Sequence, residues 1–512
     1  MAIFPATGVE QNKAACIDAD SGQILSFRTL DERANQGARF LRSLELKPSD
    51  VLAVLLPNCF EVFAIAWAAQ RTGLYLTTIS SKLSAADIRH ILQDSGAKVL
   101  ITSLLYAELA AAAIEGLSVQ VFLSDGENQS FADWAKARDQ FSAQPIADAI
   151  AGADMLYSSG TTGRPKGVKP ALPTGAVDAP TPLMRMGQTL YGMDEHSVYL
   201  NTSPLYHAAP LRWAMTIHRL GGTVVFNEKF DAAQTLSLID TYKITHATFV
   251  PTHFIRMLKL PEAIRGASNH STLKAIVHAA APCPVPIKRA MIDWWGPIIH
   301  EYYSGTEMCG ITALSAGEWL EKPGSVGRAV LGQLRIVDDE GRLLPPDAVG
   351  NVYFADGPAF EYHHDPDKTR AAHDAHGWAT MGDIGHVDAD GYLFLTDRKH
   401  FMIISGGVNI YPQEIENLLV THPKVADVAV FGVPDEEMGE SVLAVIQPAS
   451  WEDAGEGLAE ELRKFVRDAL GSVKCPRHFD FREVLPREPT GKLMKRLLQE
   501  EYRKRSVLRH IL

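Results

Sequence analysis

Residues 51–56 read VLAVLL, apolar at every position. A strand with one wet face alternates apolar and polar residues, so an unbroken apolar run reads as a strand buried on both faces. That is the habit of parallel sheets covered by helices. The flanking chain keeps the same rhythm. Residues 24–27 have strand character, with Thr29 and Asp31 as candidate helix caps, and Ala34, Ala38, Leu41 and Leu44 then recur at helical spacing. An alanine-rich helix at 61–72, a strand at 74–79, a helix at 85–96 capped by Ser84 and a strand at 98–102 follow. The alternation predicts an α/β fold whose large N-terminal part holds parallel sheets between helices.

At 512 residues the chain exceeds one ordinary core and suits two or more domains. The formal net charge of −12 gives no support to a nucleic-acid partner. Five cysteines are scattered without a CxxC pair, which points to reduced thiols in a reducing compartment rather than to zinc or a disulfide frame. The opening MAIFPATGVEQNK lacks a basic start followed by an apolar run, and no apolar run reaches the length of a membrane span. The expectation is a cytoplasmic protein without stable membrane insertion.

Residues 153–157 read as the strand that delivers the next stretch, and the chemistry begins there, at residues 157–168, YSSGTTGRPKGV. Ser158, Ser159, Gly160, Thr161, Thr162 and Gly163 offer hydroxyls and bare N–H groups to an anion, and Lys166 adds a mobile positive charge. The order differs from a Walker A loop, because Lys166 follows Pro165 and precedes Gly167. The alternative reading of such a string is a polar surface turn. The segment resembles the phosphate-binding signature of the acyl-adenylate-forming superfamily. This superfamily of AMP-dependent synthetases and ligases includes the acyl- and aryl-CoA ligases, the adenylation domains of peptide synthetases and the beetle luciferases.

Further segments carry the same resemblance in the same order. Pro204-Leu205-Tyr206-His207 is similar to the Pro-Leu-x-His element of the CoA ligases, which implies that His207 borders an acyl pocket. Residues 246–257, HATFVPTHFIRM, resemble the strand and turn before a pocket-lining helix, where Phe249, Val250 and Phe254 could serve pocket or core. The small-residue turn Ala279-Ala280-Ala281-Pro282 matches the place where the family seats adenine. Tyr303-Ser304-Gly305-Thr306-Glu307 resembles Tyr-Gly-x-Thr-Glu, with Ser304 in place of a glycine. By that resemblance Tyr303 offers a flat face to adenine, Thr306 a hydroxyl to the α-phosphate and Glu307 a hard oxygen to Mg²⁺.

Short strands after residue 323 predict a small β subdomain. Residues 363–376 hold four histidines among carboxylates and read as a polar loop more readily than as a metal site. Residues 377–383, GWATMGD, resemble Gly-Trp-x-x-Thr-Gly-Asp with Met381 in the threonine's place, which implies that Asp383 accepts from the ribose hydroxyls. The stretch 397–400, DRKH, looks like the family hinge. It divides a nucleotide- and acyl-binding domain at 1–396 from a small, swivelling α+β domain at 401–512. Arg398 would hold the ribose, and His400 stands where the swivel residue is usually Asp or Lys. The loop bearing Gly406 and Gly407 implies a wall of the pantetheine tunnel, and Pro489-Thr490-Gly491-Lys492 ends the family's closing element with its catalytic lysine, Lys492. Seven Lys and Arg in 492–512 read as a solvated amphipathic helix, with weak attraction to acidic membrane surfaces as the alternative.

The resemblance therefore implies an ATP-dependent acyl-CoA ligase that uses ATP, Mg²⁺ and CoA. It would activate a small carboxylic acid as acyl-AMP, with Lys492, Thr162, Glu307 and His207 at the chemistry. Small residues at 279–281 and 310 suggest room for an apolar group, which favours a fatty acid, then an aryl or polycyclic acid. A free-standing adenylation domain that loads a carrier protein shares these motifs. Homodimerisation is left open.

Overall fold

The computed structural model describes residues 9–158, 165–398, 401–435, 437–487 and 493–509. The larger lobe is built on two mainly parallel sheets. The six-stranded sheet runs in the order Ala132–Asp133, Gln120–Leu123, Ala97–Thr102, Val51–Leu55, Tyr75–Thr78, Ala153–Asp154. Val51–Leu55 lies mid-sheet with a parallel partner on either side. Leu52 and Val54 enter one core, and Val51, Ala53 and Leu55 enter the other. Both faces are dry, which is why no position in the run is polar.

In the nine-stranded sheet, Ile299–Tyr303, Ala275–His278, His246–Phe249, Val198–Asn201, Thr223–Phe226 and Ala14–Asp18 run parallel, with antiparallel strands at both edges. Helices Phe27–Ser43, Phe60–Gln70 and Ala208–Leu220 share one core with both sheets, so they form a middle layer. Phe60–Gln70 buries every residue from Val62 to Ala69, as a helix with sheets on two sides must. Ala85–Ser95 and Ala107–Ile114 cover the outer face of the six-stranded sheet. Ala232–Thr241, Pro251–Leu258 and Val285–Trp295 cover that of the nine-stranded one. Phe249 and Phe254 belong to this last core and not to a pocket wall.

Some sequence expectations change. The first helix is capped by Ser26, whose side chain accepts from Thr29 N, and not by Thr29 or Asp31. Asp31 instead pairs with buried Arg71 at 2.6 Å. The strand expected at 153–157 is two strands in two sheets. Ala153–Asp154 edges the six-stranded sheet, whereas Leu156–Ser158 pairs antiparallel with Lys166–Pro170, which pairs in turn with Phe360–Tyr362. Within the expected polar loop at 363–376 lies helix Pro366–Ala371, capped by Asp365 and started by Pro366.

A four-stranded antiparallel sheet spans Gln333–Val337, Gly350–Ala355, Asp383–Val387 and Leu393–Arg398. The smaller lobe has its own five-stranded sheet and its own apolar core, with helices Pro412–Leu419 and Glu456–Lys474 packed against it. All five cysteines are free. Among the described residues no helix is long and apolar enough to cross a membrane.

Strand Ile299–Tyr303, which delivers the 303–307 segment, is anchored by a buried ion pair. Lys288 is fully buried, with Nζ 2.6 Å from Glu301 Oε2 and 4.9 Å from the Trp319 ring centroid. His278 Nε2 lies 3.3 Å from the same carboxylate, but burial pushes His278 below its ordinary range, so Lys288 is the positive partner. Lys288→Met is expected to lower stability by about 3 kcal/mol, because it strands a buried carboxylate. Calorimetry of that variant beside Lys288→Met/Glu301→Gln should show the double variant recovering more than half of the lost stability. Equal losses would show that the charge pairing contributes nothing specific.

Candidate functional site

Four loops meet at the C-terminal ends of the parallel strands of the nine-stranded sheet, the edge where open α/β sheets gather ligands. Val198–Asn201 leads to His207, His246–Phe249 to Val250, Ala275–His278 to Ala279–Pro282, and Ile299–Tyr303 to Ser304–Glu307. His207 is the N-cap residue of helix Ala208–Leu220, with its ring 4.6 Å from that of Tyr206. On the same helix Arg212 donates to Asp154 Oδ2 at 2.7 Å and to the Thr306 carbonyl at 3.3 Å. This guanidinium ties the end of the six-stranded sheet to the Thr306 turn. No sequence pattern marks it, since Asp154 and Thr306 are distant along the chain.

Ala280 has φ +74°, a left-handed backbone that costs an alanine about 1 kcal/mol. It shapes the Ala279–Pro282 turn and leaves Ala280 and Pro282 exposed. Ser304 is not among the positive-φ residues, and its Oγ donates to the Gly310 carbonyl at 2.8 Å. Serine therefore fits the position, and its hydroxyl closes the turn. Gly310 does not enlarge a substrate pocket as the sequence suggested. A Cβ there would lie 2.0 Å from the Phe354 ring, so the missing side chain makes room for Phe354. Cys309 beside it is fully buried.

Three expected residues come together. Tyr303 Oη donates to Asp383 Oδ2 at 2.5 Å, and Arg398 Nε lies 3.2 Å from Asp383 Oδ1. Asp383 and Arg398 are register partners on adjacent strands. Burial, then the Asp383 charge, push the Tyr303 hydroxyl far above the ordinary tyrosine range, so it stays a donor. Nearby, Glu307 Oε1 accepts from Tyr362 Oη at 2.7 Å. Tyr362 was missed in the sequence because it precedes the histidine run and carries no motif of its own.

The strands on either side of the phosphate-type stretch, Leu156–Ser158 and Lys166–Pro170, pair antiparallel. Ser158 is the register partner of Lys166, and Tyr157 that of Gly167. Tyr157 Oη donates to Asp94 at 2.6 Å, so helix Ala85–Ser95 holds the hairpin's base. Lys166 Nζ lies 3.5 Å from Asp365 Oδ2. Lys368, from helix Pro366–Ala371, sets its ammonium 3.8 Å from the centroid of the Tyr362 ring. Burial and the Lys166 charge lower Lys368 to about 8. The histidines nearby have other work: His373 Nδ1 donates to the Thr369 carbonyl at 2.8 Å, and His376 stacks on Trp378. Among the described residues no group of three His, Cys, Asp or Glu could hold a metal ion.

In the smaller lobe Gly406 and Gly407, at φ +56° and +78°, turn the hairpin Ile403–Ser405/Val408–Ile410. Asp397 Oδ2 accepts from Gln413 N at 3.0 Å, which joins the last strand of the larger lobe to the first helix of the smaller one. A cleft of about 450 Å³ opens between the lobes, lined by Pro282, Glu301 and Leu395 on one side and Tyr411, Asn417 and Lys474 on the other. Ser159, Gly160, Thr161, Thr162, Gly163, His400 and Lys492 lie outside the described residues.

The arrangement offers a carboxylate held between a phenol and a guanidinium, a second carboxylate aimed by a phenol, and two lysines beside a hydroxyl- and glycine-rich loop. The comparisons agree with that inventory. Residues 6–360 match the family of AMP-binding enzymes, and residues 414–492 match the AMP-binding enzyme C-terminal domain. The chain is 32% identical over 499 residues to the fatty acid–[acyl-carrier-protein] ligase ScoC of Streptomyces coeruleorubidus, covering 94% of this chain and 92% of that one. It is 30% identical over 507 residues to the long-chain-fatty-acid–CoA ligase FadD13 of Mycobacterium tuberculosis, covering 95% of each. Among solved structures, the ATP-bound RpMatB-BxBclM chimera B1 superposes with a TM-score of 0.85 at 26% identity over 98% of both chains.

The hairpin's geometry can be tested directly. A Cβ at Gly167 would lie 2.9 Å from Tyr157 Cζ. Gly167→Val is therefore expected to push Tyr157 off Asp94 and to raise hydrogen exchange at the amides of 156–158 and 166–168 by about tenfold or more. Unchanged exchange there would mean that Tyr157 does not hold the loop.

Proposed function

This chain belongs to the family of AMP-binding enzymes and is an AMP-forming acid–thiol ligase, and we propose that it activates a fatty acid as its acyl adenylate and passes the acyl group to CoA. The observation that carries the proposal is the convergence of Tyr303, Asp383 and Arg398, with Glu307 and Tyr362 beside them, at the ends of the parallel strands.

The chemistry follows from charge and position. A carboxylate oxygen of the acid attacks the α-phosphorus of ATP, and the bond to the bridging oxygen of pyrophosphate breaks. Both partners are anions, so the protein must offset charge and fix an in-line approach. In the proposed pose, adenine lies between the Tyr303 ring and the backbone of Ala280, Ala281 and Pro282. A carboxylate has about four lone-pair directions. Asp383 therefore keeps acceptor capacity for the ribose diol beyond what Tyr303 and Arg398 use. Thr306 donates to the α-phosphate, and the loop Ser158–Gly163 with Lys166 closes over the β- and γ-phosphates. Glu307 is the residue that would hold Mg²⁺. A lone carboxylate suits that ion, which is usually bound through one or two carboxylates plus substrate phosphates. When bound, Mg²⁺ supplies further charge compensation. Lys492 approaches the α-phosphate from the smaller lobe, and His207 borders the acyl group.

The thiol step uses the same small lobe turned at residues 397–400, the boundary we propose between domains 1–396 and 401–512. The half-exposed Ile404 and Val408 flank Gly406 and Gly407, an apolar hairpin suited to a pantetheine arm. The fatty-acid reading is supported by the names of two relatives. One of these is a carrier-protein ligase, so acyl transfer to a carrier is the second reading.

Acid-dependent pyrophosphate release from ATP, with and without CoA, separates the alternatives across fatty acids, benzoates, cinnamates, steroid-chain acids and amino acids. Turnover is expected to rise with CoA for fatty acids. Release indifferent to CoA, with label passing to a carrier protein, would move the chain to the carrier-loading reading. Lys492→Ala is expected to lose adenylate formation by about a thousandfold or more while keeping thioester formation from supplied acyl adenylate. Equal losses in both steps would remove the domain-turning argument.

A further inference from the structure

Beside Glu307 the protein holds two ammonium groups together. Lys166 comes from strand Lys166–Pro170 and Lys368 from helix Pro366–Ala371. Lys368 is fixed from both ends. Its backbone N–H donates to Asp365 Oδ1 at 3.0 Å, and its ammonium sits 3.8 Å from the centroid of the Tyr362 ring. The same ring carries the hydroxyl that donates to Glu307 at 2.7 Å, so Lys368 and Glu307 are set on one aromatic plate. Lys166 lies 3.5 Å from the other oxygen of Asp365 and close enough to Lys368 to disfavour its charge. Asp365 and Glu307 offset only part of the repulsion, since burial and Lys166 still hold Lys368 below its ordinary range, and a multiply charged anion such as a diphosphate would complete the compensation. The bland account is a surface lysine resting on a tyrosine. It does not explain why the ammonium turns inward, toward Lys166, from a helix one face of which is open to water.

We infer that Lys368 is a further phosphate-binding residue of this enzyme, which with Lys166 receives the pyrophosphate that leaves ATP. The inference rests on the nucleotide reading of the Glu307 and Asp383 site. As the carboxylate oxygen forms its bond to the α-phosphorus, the bond from that phosphorus to the bridging oxygen breaks. The electron pair stays on pyrophosphate, and no proton is needed. Charge grows on the leaving group at that moment, and the two ammonium groups offset it. Lys368 thus acts on the first half-reaction alone, because the thiol step releases AMP and contains no pyrophosphate.

The test is isothermal titration of the full chain with AMP and, separately, with inorganic pyrophosphate in MgCl₂. Wild type is compared with Lys368→Met and Lys368→Arg, with thermal unfolding as the check on folding. Lys368→Met is expected to weaken pyrophosphate about tenfold or more and to leave AMP within about twofold. It should lower kcat/KM for ATP in adenylate formation and leave thioester formation from supplied acyl adenylate unchanged. Lys368→Arg, which keeps the charge, should recover most of the loss. AMP and pyrophosphate weakened in parallel, or neither weakened, would overturn the assignment and leave the nucleotide site standing. Wild type that binds neither ligand would instead overturn the nucleotide reading itself and the assignment with it.

Discussion

A parallel strand buried on both faces can present nothing to a ligand except the loop at its end. In this protein two such sheets close over one layer of helices, and Leu52 and Val54 face one core while Val51, Ala53 and Leu55 face the other. The strand interiors are thereby reserved for packing. Polar work falls to the segments that follow Asn201, Phe249, His278 and Tyr303, which leave the nine-stranded sheet side by side at one edge. The buried Lys288–Glu301 pair sits one side chain below that edge, so the 303–307 segment starts from a fixed point.

The second constraint is charge. A chain of formal net charge −12 must assemble its positive field locally if it is to receive a polyphosphate. It does so with side chains from four unrelated segments: Lys166 on a hairpin, Lys368 on a short helix, Arg398 at the end of a strand, and Arg212 one layer beneath. Each is held by a carboxylate or an aromatic ring, so none has to be ordered by the ligand. Aspartate and glutamate serve here as positioning groups as much as ligands. Asp94 sets Tyr157, Asp154 sets Arg212, and Asp365 sets both lysines.

Asp397 connects this site to the smaller lobe. It lies next to the end of the last strand of the larger lobe, Leu393–Arg398, and accepts from Gln413 at the start of helix Pro412–Leu419. A single carboxylate thus links the strand carrying Arg398 to the helix that follows the Gly406–Gly407 hairpin. That contact couples the two lobes directly beside Arg398.

The sequence by itself determined the layers and the roster of the site. The run at 51–56 required a two-faced buried strand, and Tyr303, Glu307, Asp383 and Arg398 stood in recognisable strings. Such features are local, so spacing along the chain is enough to read them. Only the tertiary structure decided what depends on contacts between distant segments. Gly310 resembled pocket space until Phe354 filled it, and Ser304 resembled a lapse until its hydroxyl met the Gly310 carbonyl. The strand at 153–157 split because its two halves found partners in different sheets. Tyr362, Lys368 and Arg212 carry no motif at all, since their importance lies in reaching Glu307, Lys166 and Thr306 across the fold. Side-chain reach across space has no period in sequence, and that is why the chemistry's supports, unlike its principal residues, had to wait for the structure.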